Sequence, residues 1–387
     1  MESIRDRILE KASRGRIPVI SSFELLPVCN LSCKMCYVRK SMAEVRQAGG
    51  LKDGKWWLDL ARDAAECGLL YPLLTGGEPL LHPDFKEIYM GMLDLGMQVS
   101  INSNGTLIDR EWAEFFGKHR PTRINITLYG ASEESYRNLC GDGSAYRKVR
   151  EAVALLKEYG VRIKFNASIT PQNVNDLEAL ISYAKDQNVP IQVATYMFPP
   201  LRRDENMVGQ NDRLSPEDAA LARVTADYLQ GDPEWFLAQA ERYRRFVPLE
   251  NRPWEQGVTY EKGMRCRAGL CSLWVDWQGN FMNCGMYSSA QTSLEGKTFQ
   301  QAWQEVVEQT AAVRYSPDCL GCPNEHLCHP CIAMIQNECG HHQGRPEYMC
   351  QMHQASADYY DQFVREHYPN RTSKVVIVQD PMDTCEL

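Results

Sequence analysis

The 387-residue sequence lacks the features that mark membrane, secreted and nucleic-acid-binding proteins. No apolar run approaches the roughly 18 residues of a membrane-spanning helix, and residues 1–11 are charged, without the apolar centre of a secretory signal. Acidic residues outnumber basic ones by 50 to 42, which gives a net charge of −8 and no basic field to attract nucleic acid. We therefore expect a cytoplasmic protein that binds neither membranes nor nucleic acid.

Cysteine is also missing from residues 141–265, although the chain contains 15 cysteines. Three lie within residues 29–36 and nine lie between Cys266 and Cys350, while Cys67, Cys140 and Cys385 are isolated. An odd, clustered set without a secretory leader favours metal ligation over disulfide bonding. We assign no chemical role to the three isolated cysteines.

The first cysteine cluster has the spacing C-x3-C-x2-C, formed by Cys29, Cys33 and Cys36. A structural zinc site requires a fourth cysteine or histidine. A [4Fe–4S] cluster held by only three thiolates instead keeps one iron open to a small molecule. The spacing therefore favours a reactive iron–sulfur centre on this loop.

Six short apolar segments alternate with segments of helical periodicity across the first half of the chain. This alternation predicts right-handed β-α crossovers and a parallel sheet covered by helices. Six such units form an open, partial (β/α)6 barrel of the TIM type, whose active edge lies at the carboxyl ends of its strands. The predicted strands are residues 19–23, 70–74, 98–102, 123–128, 162–169 and 191–196.

Polar motifs follow several of these predicted strands and should meet at one edge of the barrel. The most informative is Gly76-Gly77-Glu78-Pro79, in which glycine lets the main chain approach a ligand and Glu78 can accept hydrogen bonds from an ammonium group. A single Gly-Gly-Glu-Pro is often an ordinary turn. Some forty residues after a three-cysteine loop, it becomes a specific signal.

The second half predicts a helical connector and then a small cysteine-rich domain. A hairpin is predicted for residues 273–277 and 280–283 and a helix for residues 298–311, followed by a run with the spacing C-x2-C-x5-C-x2-C that starts at Cys319. The predicted division is an N-terminal helix, a barrel, a helical connector, a cysteine-rich domain and a C-terminal helix with its tail, at residues 1–17, 18–197, 198–262, 263–355 and 356–387.

The first half resembles the radical S-adenosylmethionine (radical SAM) superfamily over residues 18–196, through the three-cysteine motif and the Gly-Gly-Glu-Pro element. The resemblance implies that the open iron binds the methionine part of S-adenosylmethionine, whose reductive cleavage yields a 5′-deoxyadenosyl radical. Gly76, Gly77 and Glu78 would hold the methionine amino group. The ribose or carboxylate would contact Asn104, Thr127 and Arg137. Met35 departs from the aromatic residue that many relatives carry before the third cysteine.

The second half resembles the SPASM or twitch extension of the same superfamily, which implies two auxiliary [4Fe–4S] clusters. By similarity the first would be held by Cys266, Cys271, Cys284 and Cys331, and the second by Cys319, Cys322, Cys328 and Cys350. Two residues separate Cys328 from Cys331 where the family usually has three, so the partition stays open and Cys339 could replace a member. Zinc is the alternative metal for these paired C-x2-C units.

The combined resemblance implies an enzyme that abstracts hydrogen from a side chain of a peptide or protein, as in the maturation of ribosomally made peptides. A flavodoxin or ferredoxin would supply electrons. Leader recognition would fall to a separate protein or to another surface, since only about twenty residues precede the first strand. Two rivals stay open: a sulfatase-maturating enzyme, although Gly285 stands where those enzymes carry aspartate, and a non-catalytic iron–sulfur electron carrier.

Overall fold

The computed structural model describes residues 3–251, 264, 266–329 and 331–369, and its first half is a curved parallel sheet covered by helices. All six predicted strands are present, shifted by one or two residues at most of their ends. Each pairs in parallel with its neighbour in the order β6-β5-β4-β3-β2-β1. The strands are β1 (Ile20–Glu24), β2 (Tyr71–Thr75), β3 (Ser100–Ser103), β4 (Arg123–Leu128), β5 (Ile163–Ser168) and β6 (Ile191–Ala194).

Helices follow the strands of the barrel as the alternating pattern predicts, and they begin at side-chain caps. Asp53 and Asp109 accept hydrogen bonds from the amides of Trp56 and Trp112, which satisfies donors that a helix start leaves unpaired. The helices of the first half are α1 (Ile4–Gly15), α2 (Met42–Gln47), α3 (Gly54–Glu66), α4 (Phe85–Asp94), α5 (Arg110–Lys118), α6 (Glu133–Cys140), α7 (Ala145–Glu158) and α8 (Leu177–Gln187).

Helix α6 is the main element that the hydrophobic pattern misses. It starts at the capping residue Ser132 and ends at Gly141, which adopts a left-handed φ of 81°. Its buried face is formed by Ser135, Tyr136, Leu139 and Cys140. A helix this short has too few apolar residues for its periodicity to be recognised in the sequence. It nevertheless contacts the first cysteine loop.

The predicted hairpin extends the barrel sheet. It consists of β7 (Ser272–Val275), β8 (Asn280–Cys284) and a further strand, β9 (Tyr287–Ser293). Strand β7 pairs in parallel with β1, so that Ile20 lies opposite Ser272, and a nine-stranded sheet results. A partial barrel leaves one edge of β1 unpaired, and a strand from the second half covers that edge.

Seven helices are described in the second half of the chain. Helix α9 begins after the capping residue Ser215 and has Pro216 in its first turn. The apolar patch at 375–378 and Cys385 lie outside the described residues. The helices of the second half are α9 (Pro216–Gln230), α10 (Pro233–Tyr243), α11 (Phe299–Ala312), α12 (Pro317–Leu320), α13 (Glu325–Cys328), α14 (Ile332–Cys339) and α15 (Glu347–His367).

One large apolar core joins the two halves. Barrel residues such as Phe23 and Trp57 belong to the same buried cluster as Phe281 of the hairpin and Trp303 of α11. The burial of such large side chains contributes about 2–3 kcal/mol each before chain entropy is counted. None of the described helices has the length and apolar character needed to cross a lipid bilayer.

Candidate active site

The loop that carries Cys29, Cys33 and Cys36 follows β1 and is held from outside by the end of α6. The amide of Ser32 donates to the Cys140 carbonyl at 2.9 Å, and the amide of Lys34 donates to the Leu139 carbonyl at 3.1 Å. The last carbonyls of a helix lack partners within the helix. The cysteine loop therefore caps α6, and α6 in turn fixes the loop.

The three thiols lie close enough for the charge of each to act on the others. Burial, together with the charges of Glu78, Cys33 and Cys36, raises the pKa of Cys29 to about 12. Burial also raises the pKa of Cys36. Buried thiols in this arrangement are stable as thiolates only beside a compensating positive centre, and an iron–sulfur cluster with three thiolate ligands provides one.

Glycine is required at positions 76 and 77 because the main chain there lies against the start of the cysteine loop. A Cβ on Gly76 would lie 2.3 Å from the Leu26 carbonyl oxygen, and a Cβ on Gly77 would lie 2.2 Å from that of Val28. The amides of Gly77 and Glu78 donate to these two oxygens at 2.7 and 3.0 Å. The structure thus gives these glycines a packing role beside the ligand role that the motif predicts.

Glu78 is fully buried and connects this segment to the end of β3. Its carboxylate accepts hydrogen bonds from the Ser103 hydroxyl at 2.9 Å and from the Asn104 amide at 2.7 Å. Burial raises its pKa to about 7, while these hydrogen bonds act in the opposite direction. Pro79 follows directly and begins a short 3-10 turn, Pro79–Leu81.

Asn104 connects the hydrogen bonds of Glu78 to the first cysteine of the loop, Cys29. Its side-chain amide donates to the Asn30 side chain at 2.9 Å and lies 3.6 Å from the Cys29 sulfur. Its oxygen accepts from the amide and hydroxyl of Thr106. The structure therefore brings together three elements that the sequence places at separate strand ends: the cysteine loop, Gly-Gly-Glu-Pro and Asn104.

Thr127 and Arg137 lie farther from this network. Thr127 is half-buried on β4, opposite Asn166 of β5. Arg137 is exposed on α6, with its guanidinium against the backbone turn at Gly143. Among the described residues, neither side chain makes a hydrogen bond or ion pair with the cysteine loop, and the roles implied by the resemblance stay predictions.

Four of the later cysteines surround one cavity. Cys319, Cys322, Cys328 and Cys350 line a cleft of about 400 Å³. Burial and the charges of the other three raise the pKa of Cys319. These are the four residues predicted to hold the second auxiliary cluster, and Cys350 enters the group from α15.

The other predicted set is divided by the structure. Cys284 and Cys331 pack against one apolar cluster, which also contains Tyr287 and Ile332. Cys271 lies in a different cluster against α1, fully buried, with the Ser13 hydroxyl donating to its sulfur at 3.1 Å. Cys266 lies in the bend that precedes β7. Cys271 therefore differs from its predicted partners in its surroundings.

Within the described residues, no three His, Cys, Asp or Glu side chains converge tightly enough to hold a single metal ion. An iron–sulfur cube is wider than one ion, because its thiolates bind different iron atoms at its corners. The four cysteines around this cleft match in number and type the ligands that a [4Fe–4S] cube requires, and their role stays a prediction.

A second cleft, of about 280 Å³, lies between the first cysteine loop and the hairpin. Tyr37, Arg202 and Gly285 line it. Arg202 makes a two-point ion pair with the buried Glu24 at 2.8 and 2.9 Å and also donates to the Gly285 carbonyl. The pKa of Tyr37 is raised by burial and by the charges of Glu24, Cys36 and Cys284, so the side chain stays a neutral phenol.

Gly285 has no room for a side chain. A Cβ there would lie 2.6 Å from the Trp274 indole, whose nitrogen donates to Glu24 at 3.2 Å. The aspartate that sulfatase-maturating enzymes carry at this position therefore cannot be accommodated without moving Trp274.

Residues 23–184 match the family model described as the Radical SAM superfamily. This chain contains a radical SAM domain. S-adenosylmethionine and a [4Fe–4S] cluster are the cofactors of this family, and the half-buried three-thiol loop has the ligands that such a cluster requires. The match covers both motifs of the site and most of the barrel, from the end of β1 into α8.

The similarity to known proteins extends into the second half of the chain. An AdoMet-dependent heme synthase of Methanosarcina barkeri is 23% identical over 79% of this chain and 91% of its own. The subtilosin biosynthesis protein AlbA of Bacillus subtilis is 22% identical over 84% of this chain and 70% of its own. The solved structure of anSMEcpe with bound AdoMet and Cp18Cys peptide has a TM-score of 0.64 at 17% identity. The match covers 90% of this chain and 98% of the anSMEcpe chain. The likeness to anSMEcpe establishes a shared fold.

Several residues of the site carry no recognisable sequence signal. Cys140 lies more than one hundred positions from the loop that it contacts, and Arg202 is 178 positions from Glu24. Tyr37 is the exception, since it directly follows the third cysteine of the motif.

The separation of Cys271 from the other cysteines leads to a test of ligand identity. We expect Cys350→Ala to lose about four iron atoms per chain, one cubane, and Cys271→Ala to keep its iron because its thiol lies against α1. Iron and sulfide content of both variants after anaerobic reconstitution provides the measurement. A loss of iron from Cys271→Ala equal to that from Cys350→Ala would instead make Cys271 a ligand.

Proposed function

We propose that this protein is a radical SAM enzyme that modifies a side chain of a peptide or protein. The observation that carries the proposal is the half-buried loop of Cys29, Cys33 and Cys36, linked through Asn104 to Glu78 at the carboxyl edge of the barrel. When bound there, the cluster supplies the electron for reductive cleavage of S-adenosylmethionine to a hydrogen-abstracting 5′-deoxyadenosyl radical. The protein positions the cofactors and excludes water.

Each part of the network has a separate task in this proposal. The three thiols hold the cluster and leave one iron open for the methionine group. The carboxylate of Glu78 keeps the Gly-Gly segment and Asn104 in place beside Cys29, because it accepts hydrogen bonds from Ser103 and from the Asn104 backbone. Its position next to the Gly-Gly main chain supports the predicted contact with the methionine amino group.

The cleft beside Tyr37 is our proposed place for the reacting side chain. Tyr37 adjoins Cys36, and Gly285 adjoins Cys284, so the cleft lies between the first cluster site and a predicted auxiliary site. The neutral Tyr37 phenol can donate a hydrogen bond to the substrate backbone, while the Glu24–Arg202 pair shapes one wall.

Auxiliary clusters would accept the electron that remains on the substrate after hydrogen abstraction. Cys319, Cys322, Cys328 and Cys350 would hold one cluster, and their shared cleft supports that assignment. Cys284 and Cys331, with Cys266, would contribute to the other. A small electron-transfer protein such as a flavodoxin or ferredoxin would reduce the enzyme.

Peptide modification is supported by the subtilosin biosynthesis relative and by the fold shared with anSMEcpe, whose structure contains a peptide. The absence of space for aspartate at Gly285 makes sulfatase maturation a weaker candidate than peptide maturation. A heme precursor is the second candidate substrate, because the heme synthase relative aligns over 91% of its length.

The substrate class can be tested by isotope transfer. The reduced, reconstituted enzyme is incubated with S-adenosylmethionine and short deuterated peptides encoded beside its gene. The proposal predicts deuterium in the 5′-deoxyadenosine and a mass change in the peptide. The alternative outcome is that the peptides stay unchanged and the 5′-deoxyadenosine unlabelled, while an iron porphyrin with carboxylate side chains is converted. That outcome would show that the substrate is a heme precursor and not a peptide.

A further inference from the structure

Basic side chains are concentrated on the outer surface of the first cysteine loop. The segment 33–47 contains four basic residues and one acidic residue, although acidic residues outnumber basic ones in the whole chain. The connector adds a fifth, because the Arg203 guanidinium donates to the Cys36 carbonyl at 2.9 Å. We call this group the basic surface; its members are Lys34, Arg39, Lys40, Arg46 and Arg203.

The charges of the basic surface are not neutralised within the described part of the chain. Four of its side chains are exposed and Lys40 is half-buried, and none of the five forms an ion pair with an acidic side chain of the described residues. The acidic residue of the segment, Glu44, accepts hydrogen bonds from the amide and hydroxyl of Ser41, each at 2.7 Å. Asp204 and Glu205 are the acidic residues that follow Arg203. The five cations therefore remain available to an acidic partner.

The basic surface adjoins the predicted ligands of the SAM-binding cluster. The backbone amide of Arg39 donates to the Cys36 sulfur at 3.4 Å, and Lys34 directly follows Cys33 in the sequence. Both thiols are only partly buried. A molecule bound to the basic surface would therefore lie next to the loop that holds the cluster.

An exposed apolar side chain accompanies these charges. Met42 is the first residue of α2 and is 42% exposed, whereas Val45 of the same helix is fully buried. Methionine and arginine are enriched in protein interfaces, where an apolar centre supplies contact area and a charged rim sets the orientation. This combination suits a protein partner with an acidic face.

We propose that the basic surface is the docking site of the acidic electron-transfer protein that reduces the enzyme. The inference rests on the proposed function, in which the reduced partner is oxidised by one electron and the cluster on this loop is reduced by it. Opposite charges speed association, and the net charge of −8 disfavours binding of an acidic partner elsewhere on the chain. A substrate peptide is the less favoured occupant, because the proposed substrate cleft is lined by Tyr37, Arg202 and Gly285 and by no member of the basic surface.

The experiment compares two charge-reversed variants of the full chain after anaerobic reconstitution. The first is Lys40→Glu with Arg46→Glu. The control is Arg7→Glu with Lys11→Glu, which makes the same change of net charge on α1, a helix that packs against the amino ends of β1 and β2. The dissociation constant for an acidic flavodoxin is measured by surface plasmon resonance. At low salt it should rise about tenfold in the first variant and stay near the parent value in the control, and high salt should reduce the difference between them.

Formation of 5′-deoxyadenosine gives a second readout. With flavodoxin below saturation as the reductant, the first variant should be slower than the control, whereas with dithionite both should match the parent protein. Equal dissociation constants for the two variants would overturn the proposal. Loss of affinity for a polyglutamate peptide with unchanged flavodoxin binding would also overturn it, because the basic surface would then be a peptide site. Failure of the proposed function would appear separately, as intact S-adenosylmethionine in the dithionite-reduced parent protein.

Discussion

Replacing Cys33 by alanine is expected to abolish cleavage of S-adenosylmethionine and to remove about four iron atoms per chain. The central thiol of the three cannot be replaced from elsewhere in the barrel: its neighbour Cys140 is fixed by the backbone at the end of α6. A cluster with only two thiolates on this loop would lose its attachment. The expected loss of 5′-deoxyadenosine is more than a hundredfold, as for removal of a reacting group.

The measurement is anaerobic reconstitution followed by reduction with dithionite and quantification of 5′-deoxyadenosine by liquid chromatography. Cys67→Ala is the matched control. Cys67 caps the end of α3, half-buried and beside the acidic residues Asp63 and Glu66, so it should keep both iron and activity. Undiminished cleavage by Cys33→Ala would refute the assignment of the cluster to this loop.

The Arg202→Met substitution should destabilise the protein by about 3–5 kcal/mol. Arg202 is the two-point partner of Glu24, whose side chain is 1% exposed, and it is itself 14% exposed. Methionine would fill most of the volume of arginine but leave the Glu24 carboxylate buried, with the Trp274 indole as its one remaining donor among the described residues. A buried charge without its counter-ion is among the largest single-residue losses of stability.

Thermal unfolding under anaerobic conditions provides the measurement, with Arg203→Met as the control. Arg203 donates one exposed hydrogen bond to the Cys36 carbonyl at 2.9 Å, so its loss should change stability by about 0.5 kcal/mol. The double variant Glu24→Leu with Arg202→Met should regain much of the loss, because both charges are then removed. A melting temperature of Arg202→Met equal to that of Arg203→Met would contradict this account of the ion pair.

The barrel strands could be predicted because each is a short, buried apolar run that follows a helix of clear periodicity. The segment 123–128 is predicted at the limits that the structure has for β4. The hairpin was also predictable from its turn, since Gln278 and Gly279 lie between two apolar strands. Its attachment to β1 was not, because a parallel pairing between Ile20 and Ser272 has no local sequence signal.

The candidate site also has features that can be predicted from the sequence and features that cannot. The cysteine spacing and Gly-Gly-Glu-Pro are local patterns, so their chemistry can be inferred from the sequence. The contacts of Ser32 with Cys140, and of Glu24 with Arg202, depend on how distant elements pack. The surroundings of Cys271 depend on α1, more than 250 positions away, so spacing alone could not separate it from the other cysteines of its predicted cluster.

The central claim is that a cluster on the Cys29, Cys33 and Cys36 loop activates S-adenosylmethionine. It is tested most directly by following the fate of S-adenosylmethionine in the reconstituted parent protein after reduction with dithionite. The account predicts equal amounts of methionine and 5′-deoxyadenosine, formed only in the reduced sample. Intact S-adenosylmethionine in a reduced protein with full iron and sulfide content would contradict it.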